Sequence, residues 1–194
     1  MPKTGTIVEL SDWELVQRCQ QGQVSAFQEL VSRHYQKVFV VVQGIVNHRE
    51  DAMDIVQDTF LRVYRKIGGF KGDSSFYTWV YRIAVNLAID FKRQKKRAPM
   101  ELAERGEGHD EPVEDPDRIG SDPGRDLQRK EIERRLLAAI ADLTPDHKAV
   151  IVLRAIEGLS YKEISRLLGC SEGTVMSRLH YARKRLLEKL DSVI

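Results

Sequence analysis

The chain is poor in cysteine and in long apolar stretches. Its 194 residues hold two cysteines, Cys19 and Cys170, far apart and in no CxxC pair. Two thiols cannot build a disulfide framework or a four-ligand zinc site, so both read as reduced packing residues in a reducing compartment. The longest apolar-looking run, Val38 to Val46, falls far short of the roughly 18 residues that would span a bilayer, and no basic-then-apolar leader opens the chain. The expectation is a soluble protein that is not exported. There is no GxxxxGK[ST] loop and no internal repeat, which removes P-loop nucleotide hydrolysis and solenoid architectures. The length excludes a catalytic barrel. Neither sign of charge prevails, since 31 Lys plus Arg stand against 29 Asp plus Glu for a net +2, so charge must be read segment by segment.

Proline is absent between Lys3 and Ala98 and then clusters at Pro99, Pro112, Pro116 and Pro123. That stretch, 99–127, carries ten acidic residues against three basic ones, a net of −7, with four glycines. It cannot bury a core and reads as a flexible acidic linker. Two roles stay open for it: a solvated tether, or an anionic strap that mimics nucleic acid in a cationic channel. Either way it divides the chain into helical blocks at 1–98 and 128–194. The fold class expected is all-α, two small helical domains joined by this linker.

Helical spacing runs through the first block. Ser11 and Glu14 have capping-box spacing, and Trp13, Leu15 and Val16 begin an amphipathic run. Phe27, Leu30, Val31, His34, Val38 and Val41 recur at helical intervals that outweigh the strand preference of Val40, Val41 and Val42. From Asp51 to Ile67, Met53, Val56, Phe60, Val63 and Ile67 form an apolar stripe expected to face the core. Asp51, Asp54, Asp58, Arg62 and Arg65 take the opposite face, with Ile55 and Leu61 at its border. Apolar residues bordering carboxylates suit a docking surface; an ordinary solvated face fits the composition equally. A third option, a metal shared by Asp51 and Asp54, lacks a second ligand set.

A Gly-rich loop bearing Phe70 leads into a helix that Ser74 or Ser75 caps. Phe70 is expected to be exposed. On the helix Phe76, Val80, Ile83 and Leu87 read as the buried stripe and Trp79, Arg82, Asn86, Arg93 and Arg97 as an adjacent edge, with Tyr77 and Tyr81 emerging elsewhere. Five of the six residues Lys92 to Arg97 are basic. Rings beside a cationic helix end suit single-stranded nucleic acid: rings stack on bases, at ~1–3 kcal/mol each, while cations hold phosphate.

In the second block Pro145 opens a helix, Gly158 stops it, and Ser160 with Glu163 forms a capping box for the next. Gly169 ends that helix and Ser171 caps a third, with a buried stripe of Val175, Leu179, Ala182, Leu186 and Leu190. Ser177, His180, Tyr181 and Lys184 point away. From Ser160 to Leu190 seven basic and three acidic residues give +4. This is a helix-turn-helix plan with the electrostatic footprint of duplex binding, the alternative being a helical hairpin for protein docking.

At these residues the sequence resembles bacterial sigma factors of the extracytoplasmic-function (ECF) group. DAMDIVQDTFLRVYRKI resembles their core-polymerase-binding helix and FKGDSSFYTWVYRIAVNLAIDFKR their promoter-melting and minus-ten segment. LSYKEISRLLGCSEGTVMSRLHYARKRL resembles their minus-thirty-five reader. The resemblance implies a transcription initiation factor, not an enzyme and without a cofactor, metal site or small-molecule substrate, working in the bacterial cytoplasm. Its implied partners are core RNA polymerase, through the β′ clamp helices and the β flap, and promoter DNA, both duplex and single-stranded. An anti-sigma factor, often membrane-bound in relatives, and a stress response are also implied. Asp51, Asp54, Ile55, Gln57, Asp58 and Leu61 would meet polymerase. Phe70, Asp73, Ser74, Ser75 and Asn86 fall at a pocket for a flipped minus-ten base, with Trp79, Arg82, Arg93 and Arg97 beside it. Ser171, Glu172, Thr174, Ser177, Arg178, His180, Tyr181, Arg183 and Lys184 occupy the minus-thirty-five positions, although Met176 and Tyr181 stand where many relatives carry a cation. Two other classes remain as alternatives: a stand-alone helix-turn-helix regulator, and a carboxylate-dependent nuclease using Asp51, Asp54 and Asp58.

Overall fold

The computed structural model describes residues 10–97 and 138–191, the side chains of Arg97, Leu190 and Asp191 excepted. The acidic linker of the sequence reading, 99–127, lies outside them. All regular structure among the described residues is helical. Helix α1 (Asp12–Gln20) is short and specified by its own start: Ser11 Oγ accepts the Glu14 N–H, and Glu14 reaches back to the Ser11 N–H at 2.7 Å. This reciprocal cap satisfies donors that the first turn leaves unpaired.

Helix α2 (Val24–Val46) buries Leu30, His34, Val38, Val41, Val42 and Ile45. The valine cluster is helical because tertiary burial of one face outweighs a propensity cost of a few tenths of a kcal/mol per residue. The helix stops at Asn47, which adopts a left-handed φ of 56°, a conformation asparagine tolerates better than most residues. His48 then caps α3 (Arg49–Lys66) by accepting the Asp51 N–H on Nδ1. A 3-10 turn (Ile67–Gly69) and the loop to residue 75 lead into α4 (Phe76–Arg97). Helices α2, α3 and α4 pack on one another around the first core, with α1 laid against α2.

The buried arc of α3 differs from the expected stripe. Ile55 is buried with Ala52, Val56, Thr59, Phe60 and Val63, whereas Met53 is exposed. The helix is flanked by both α2 and α4, so its covered arc is wider and rotated relative to a three-four stripe drawn for one neighbour.

Residues 138–141 are helical and precede α5 (Pro145–Ala155), α6 (Tyr161–Leu168) and α7 (Glu172–Asp191). Thr144 caps α5 ahead of its Pro at the first position, and Ser160 with Glu163 completes a capping box on α6. Gly169 ends α6 at φ 65°, where a side chain would be strained. Ser171 accepts the Thr174 N–H. Val175, Leu179 and Ala182 of α7 are buried and Leu186 half-buried.

The two blocks share one apolar core, an arrangement the sequence had left open. Helix α5 lies against α2, and α6 against α4. The approach is close at Gly44, where an added Cβ would come within 3.0 Å of Val152 Cγ2. Cys19 and Cys170 are half-buried free thiols, and burial pushes the Cys19 thiol up from its ordinary pKa.

Candidate nucleic-acid interfaces

Three surfaces carry the residues that the sequence singled out. On α3, Asp54, Gln57, Asp58 and Leu61 are exposed, with Leu61 at 48%. Asp54, Gln57 and Leu61 line a groove of about 550 Å³ between α2 and α3 whose apolar wall includes Val24, Phe27, Tyr35, Met53 and Tyr64. Contiguous exposed apolar surface rimmed by carboxylates is a protein-docking feature. Two expected members of this face sit elsewhere. Ile55 is buried in the core, and Asp51 turns toward its neighbours, pairing with Lys95 at 3.2 Å and His48 at 3.4 Å. No group of three or more potential metal ligands occurs among the described residues. The α2 side of the groove was not found from sequence, because Val24, Phe27 and Tyr35 satisfy the same helical spacing as core residues.

The second surface is the loop before α4. Asp73, Ser74 and Ser75 are exposed on it, and Ser75 caps α4 by accepting the Thr78 N–H at 3.1 Å. Phe70 corrects the expectation of exposure. It is 9% exposed, stacked on Trp79 at 4.7 Å and edge-on to Phe76 at 6.2 Å. The loop backbone is tied down from α1: the Gln20 side-chain amide donates from Nε2 to the carbonyls of both Ile67 and Phe70 at 2.9 Å. Those two bonds aim the Phe70 side chain inward. Trp79 is half-buried and Asn86 exposed; Arg97 closes α4, its side chain lying outside the described part.

Helix α7 forms the third surface. Ser171, Glu172, Ser177, His180, Tyr181, Arg183 and Lys184 are exposed, Thr174 is half-buried, and Met176 is 55% exposed. The capped turn between α6 and α7 holds this row at one face of the block, as a groove-entering helix requires.

Packing of the blocks engages several of the expected DNA-binding cations internally. Asp146, at the start of α5, accepts from Arg93 of α4 at 2.8 Å and pairs with Arg178 of α7 at 2.9 Å. The carboxylate pushes the Arg93 pKa up, chiefly through the hydrogen bond. Arg82 donates to the Arg166 carbonyl at 2.7 Å. Lys95 and Lys96 line an inter-block cavity of about 390 Å³ with His48, Pro145 and Lys148. Tyr81, expected to emerge at the surface, is fully buried, and Tyr77 donates its O–H to the Glu157 carboxylate across the interface. Their rings lie 4.1 Å apart. Burial, then the Glu157 contact, pushes the Tyr77 phenol well above its ordinary pKa, and burial does the same for Tyr81. Asp146, Glu157 and Gln20 carried no sequence signal, since each acts on a partner far away in the chain.

Comparison with known proteins places these surfaces in context. The family model for Sigma-70 region 2 matches residues 30–98, and that for Sigma-70, region 4 matches residues 133–186. The ECF RNA polymerase sigma-E factor of Haemophilus influenzae is 41% identical over 189 residues, covering 96% of this chain and 98% of that protein. The RNA polymerase sigma-H factor of Pseudomonas aeruginosa is 36% identical over 194 residues, covering 97% and 98%. Among solved structures, CnrH in complex with the cytosolic domain of CnrY superposes with a TM-score of 0.65 at 26% identity, covering 94% of this chain and 99% of CnrH. The sigma factor RpoE of Bartonella quintana, in complex with the anti-sigma factor NepR, gives 0.60 at 26% identity, covering 87% and 98%.

Proposed function

The chain belongs to the sigma-70 family of RNA polymerase sigma factors, in its ECF group, and from that premise we propose how its residues divide the work of transcription initiation. It is a transcription initiation factor. The block 1–98 binds core polymerase and the melted minus-ten strand, 99–127 is the connecting linker, and 128–194 reads the minus-thirty-five duplex. Polymerase forms the phosphodiester bonds, so this chain catalyses no reaction, and it acts where polymerase does, in the cytoplasm.

Asp54, Gln57, Asp58 and Leu61, with the apolar groove behind them, dock on the polymerase β′ clamp helices. The observation that carries this is the exposed apolar wall of Met53, Leu61 and Tyr64 beside the exposed carboxylates of Asp54 and Asp58 on one helix. Such a surface has to be covered by a partner for its exposure to make physical sense. Asp51 and Ile55 contribute from behind, Asp51 through its bonds to the α4 end and Ile55 as core. Asp73, Ser74, Ser75 and Asn86 surround a flipped minus-ten base beside the Phe70–Trp79 stack, while Arg82, Arg93 and Arg97 follow the strand backbone. Ser171 to Lys184 enter the major groove, with Arg178 suited to a guanine edge, and the β flap supports this block.

Arg82, Arg93 and Arg178 must leave their internal partners to do this, so the chain alone binds promoter DNA weakly and binds it well within the holoenzyme. That separates this function from a stand-alone helix-turn-helix regulator, which would shift duplex without polymerase. An anti-sigma factor is a further partner, as CnrH and RpoE of Bartonella quintana were solved in complexes with CnrY and NepR. Run-off transcription with core polymerase on a promoter library tests the proposal. Transcripts from a defined two-element class are expected; failure to associate with core, or association without any transcript, overturns it.

A further inference from the structure

We propose that Trp13 of α1 is an additional strand-binding residue, a second stacking ring at the mouth of the minus-ten loop. The inference rests on the reading of that loop as the single-strand site. Helix α1 precedes the stretch that matches the region 2 model, which begins at residue 30, yet it is bolted to that stretch at both ends. At its start Asp12 meets His34 Nε2 at 2.7 Å and Arg33 at 3.5 Å. At its end Gln20 holds the Ile67 and Phe70 carbonyls.

Between those two anchors the indole lies over the loop. Gly72 sits beneath it at φ 80°, where an added Cβ would come within 2.9 Å of Trp13 Cζ3. The ring centroid is 6.2 Å from that of Phe70, which itself stacks on Trp79. A row of three rings therefore runs Trp79, Phe70, Trp13, half-buried, buried and exposed in turn, and the last is 43% exposed. Phe70 and Trp79 already stack on each other, whereas Trp13 is tilted at 60° to Phe70 and is the most exposed ring of the three, so it is the ring best placed to offer a face to a nucleotide. Lys71, Ser74 and Ser75 are exposed on the same loop and supply a cation for phosphate and hydroxyls for a base edge.

Stacking and packing make different demands on the residue at 13, and substitutions separate them. Trp13→Phe keeps a π face, Trp13→Leu keeps apolar bulk over Gly72 without one, and Trp13→Ala removes both. The readout is the dissociation constant of reconstituted holoenzyme for fluorescein-labelled fork-junction promoter DNA with a single-stranded non-template strand, beside the thermal midpoint of each free chain. Stacking predicts that Leu and Ala weaken fork binding by about tenfold, with Phe within about threefold of the native chain. Binding to a fully duplex fragment carrying only the upstream element should not change. Leu behaving like Phe would overturn the inference, as would unchanged binding by Ala. In those cases Arg82→Ala decides what else falls: if it weakens fork binding, the loop reading stands and only the role of Trp13 is lost. If it too leaves binding unchanged, the single-strand site itself is wrong.

Discussion

A phenylalanine on a glycine-flanked loop has two resting places, solvent or another ring. Phe70 takes the second, because Gln20 fixes the carbonyls on either side of the turn and leaves the side chain facing Trp79 and Phe76. Truncating it therefore removes core as well as a candidate base contact. Phe70→Ala is expected to cost ~3–5 kcal/mol of stability and to reduce promoter opening, measured by urea denaturation of the free chain and by permanganate reactivity of the bubble. A native denaturation midpoint would contradict the burial. On α3, charge rather than packing governs. Asp54 is exposed, so Asp54→Arg should change stability by no more than ~0.5 kcal/mol while weakening core association about tenfold or more. Competition against the native chain for core polymerase checks it.

Helices in this protein are delimited by local chemistry that acts within one turn. Ser160 and Glu163 satisfy each other's backbone donors at the start of α6, as Ser11 and Glu14 do on α1. Ser160→Ala should cost ~1 kcal/mol and loosen the turn that presents α7, read as a lower thermal midpoint and weaker minus-thirty-five binding by the holoenzyme. Both caps also give a pH dependence. The serine hydroxyls, then the serine N–H groups, hold Glu14 and Glu163 below the ordinary value of 4.5. A carboxylate whose pKa is depressed by folding adds stability that is complete above its unfolded value and is lost as pH falls through the folded one. Helicity followed by circular dichroism should thus be level above that value and decline below it, with Ser11→Ala and Ser160→Ala together flattening the decline.

Between the blocks, magnitude decides what holds the closed arrangement. The ion pairs of Asp146 with Arg93 and Arg178 are partly exposed, and pairs of that kind contribute ~0.2–1 kcal/mol. Burial of a single Val or Leu side chain contributes ~1.5–3 kcal/mol, and Val150, Val152 and Leu153 are all buried. Apolar contact therefore carries the closure and the charges orient it. Asp146→Ala should leave the blocks packed but free Arg93 and Arg178, raising the salt-dependent affinity of the free chain for duplex DNA. Val152→Asp should separate the blocks. Small-angle scattering distinguishes the two: an unchanged radius for the first, a larger one for the second. Expansion by Asp146→Ala alone would reverse this ranking.

Much of the molecule was legible before its structure. Caps at Ser11, Ser160 and Ser171 and the stop at Gly169 follow from contacts within four residues, which any linear reading contains, and the helical reading of the valine cluster follows from the period that runs through Phe27 to Val41. The exposure of Asp54 and Asp58 on α3 and of Ser177, His180, Tyr181 and Lys184 on α7 followed from helical period, whereas the roles proposed for them came from the resemblance of whole motifs. Tertiary structure alone decided the fate of Phe70, Ile55, Met53, Tyr81 and Asp51, and the internal pairing of three arginines. Their partners lie far along the chain: Gln20 is 50 residues from Phe70, Arg93 is 53 from Asp146, and Arg82 is 84 from Arg166. Periodicity fixes which residues share a helix face but not how many neighbours cover it, and charge composition names a cation without naming the anion it meets.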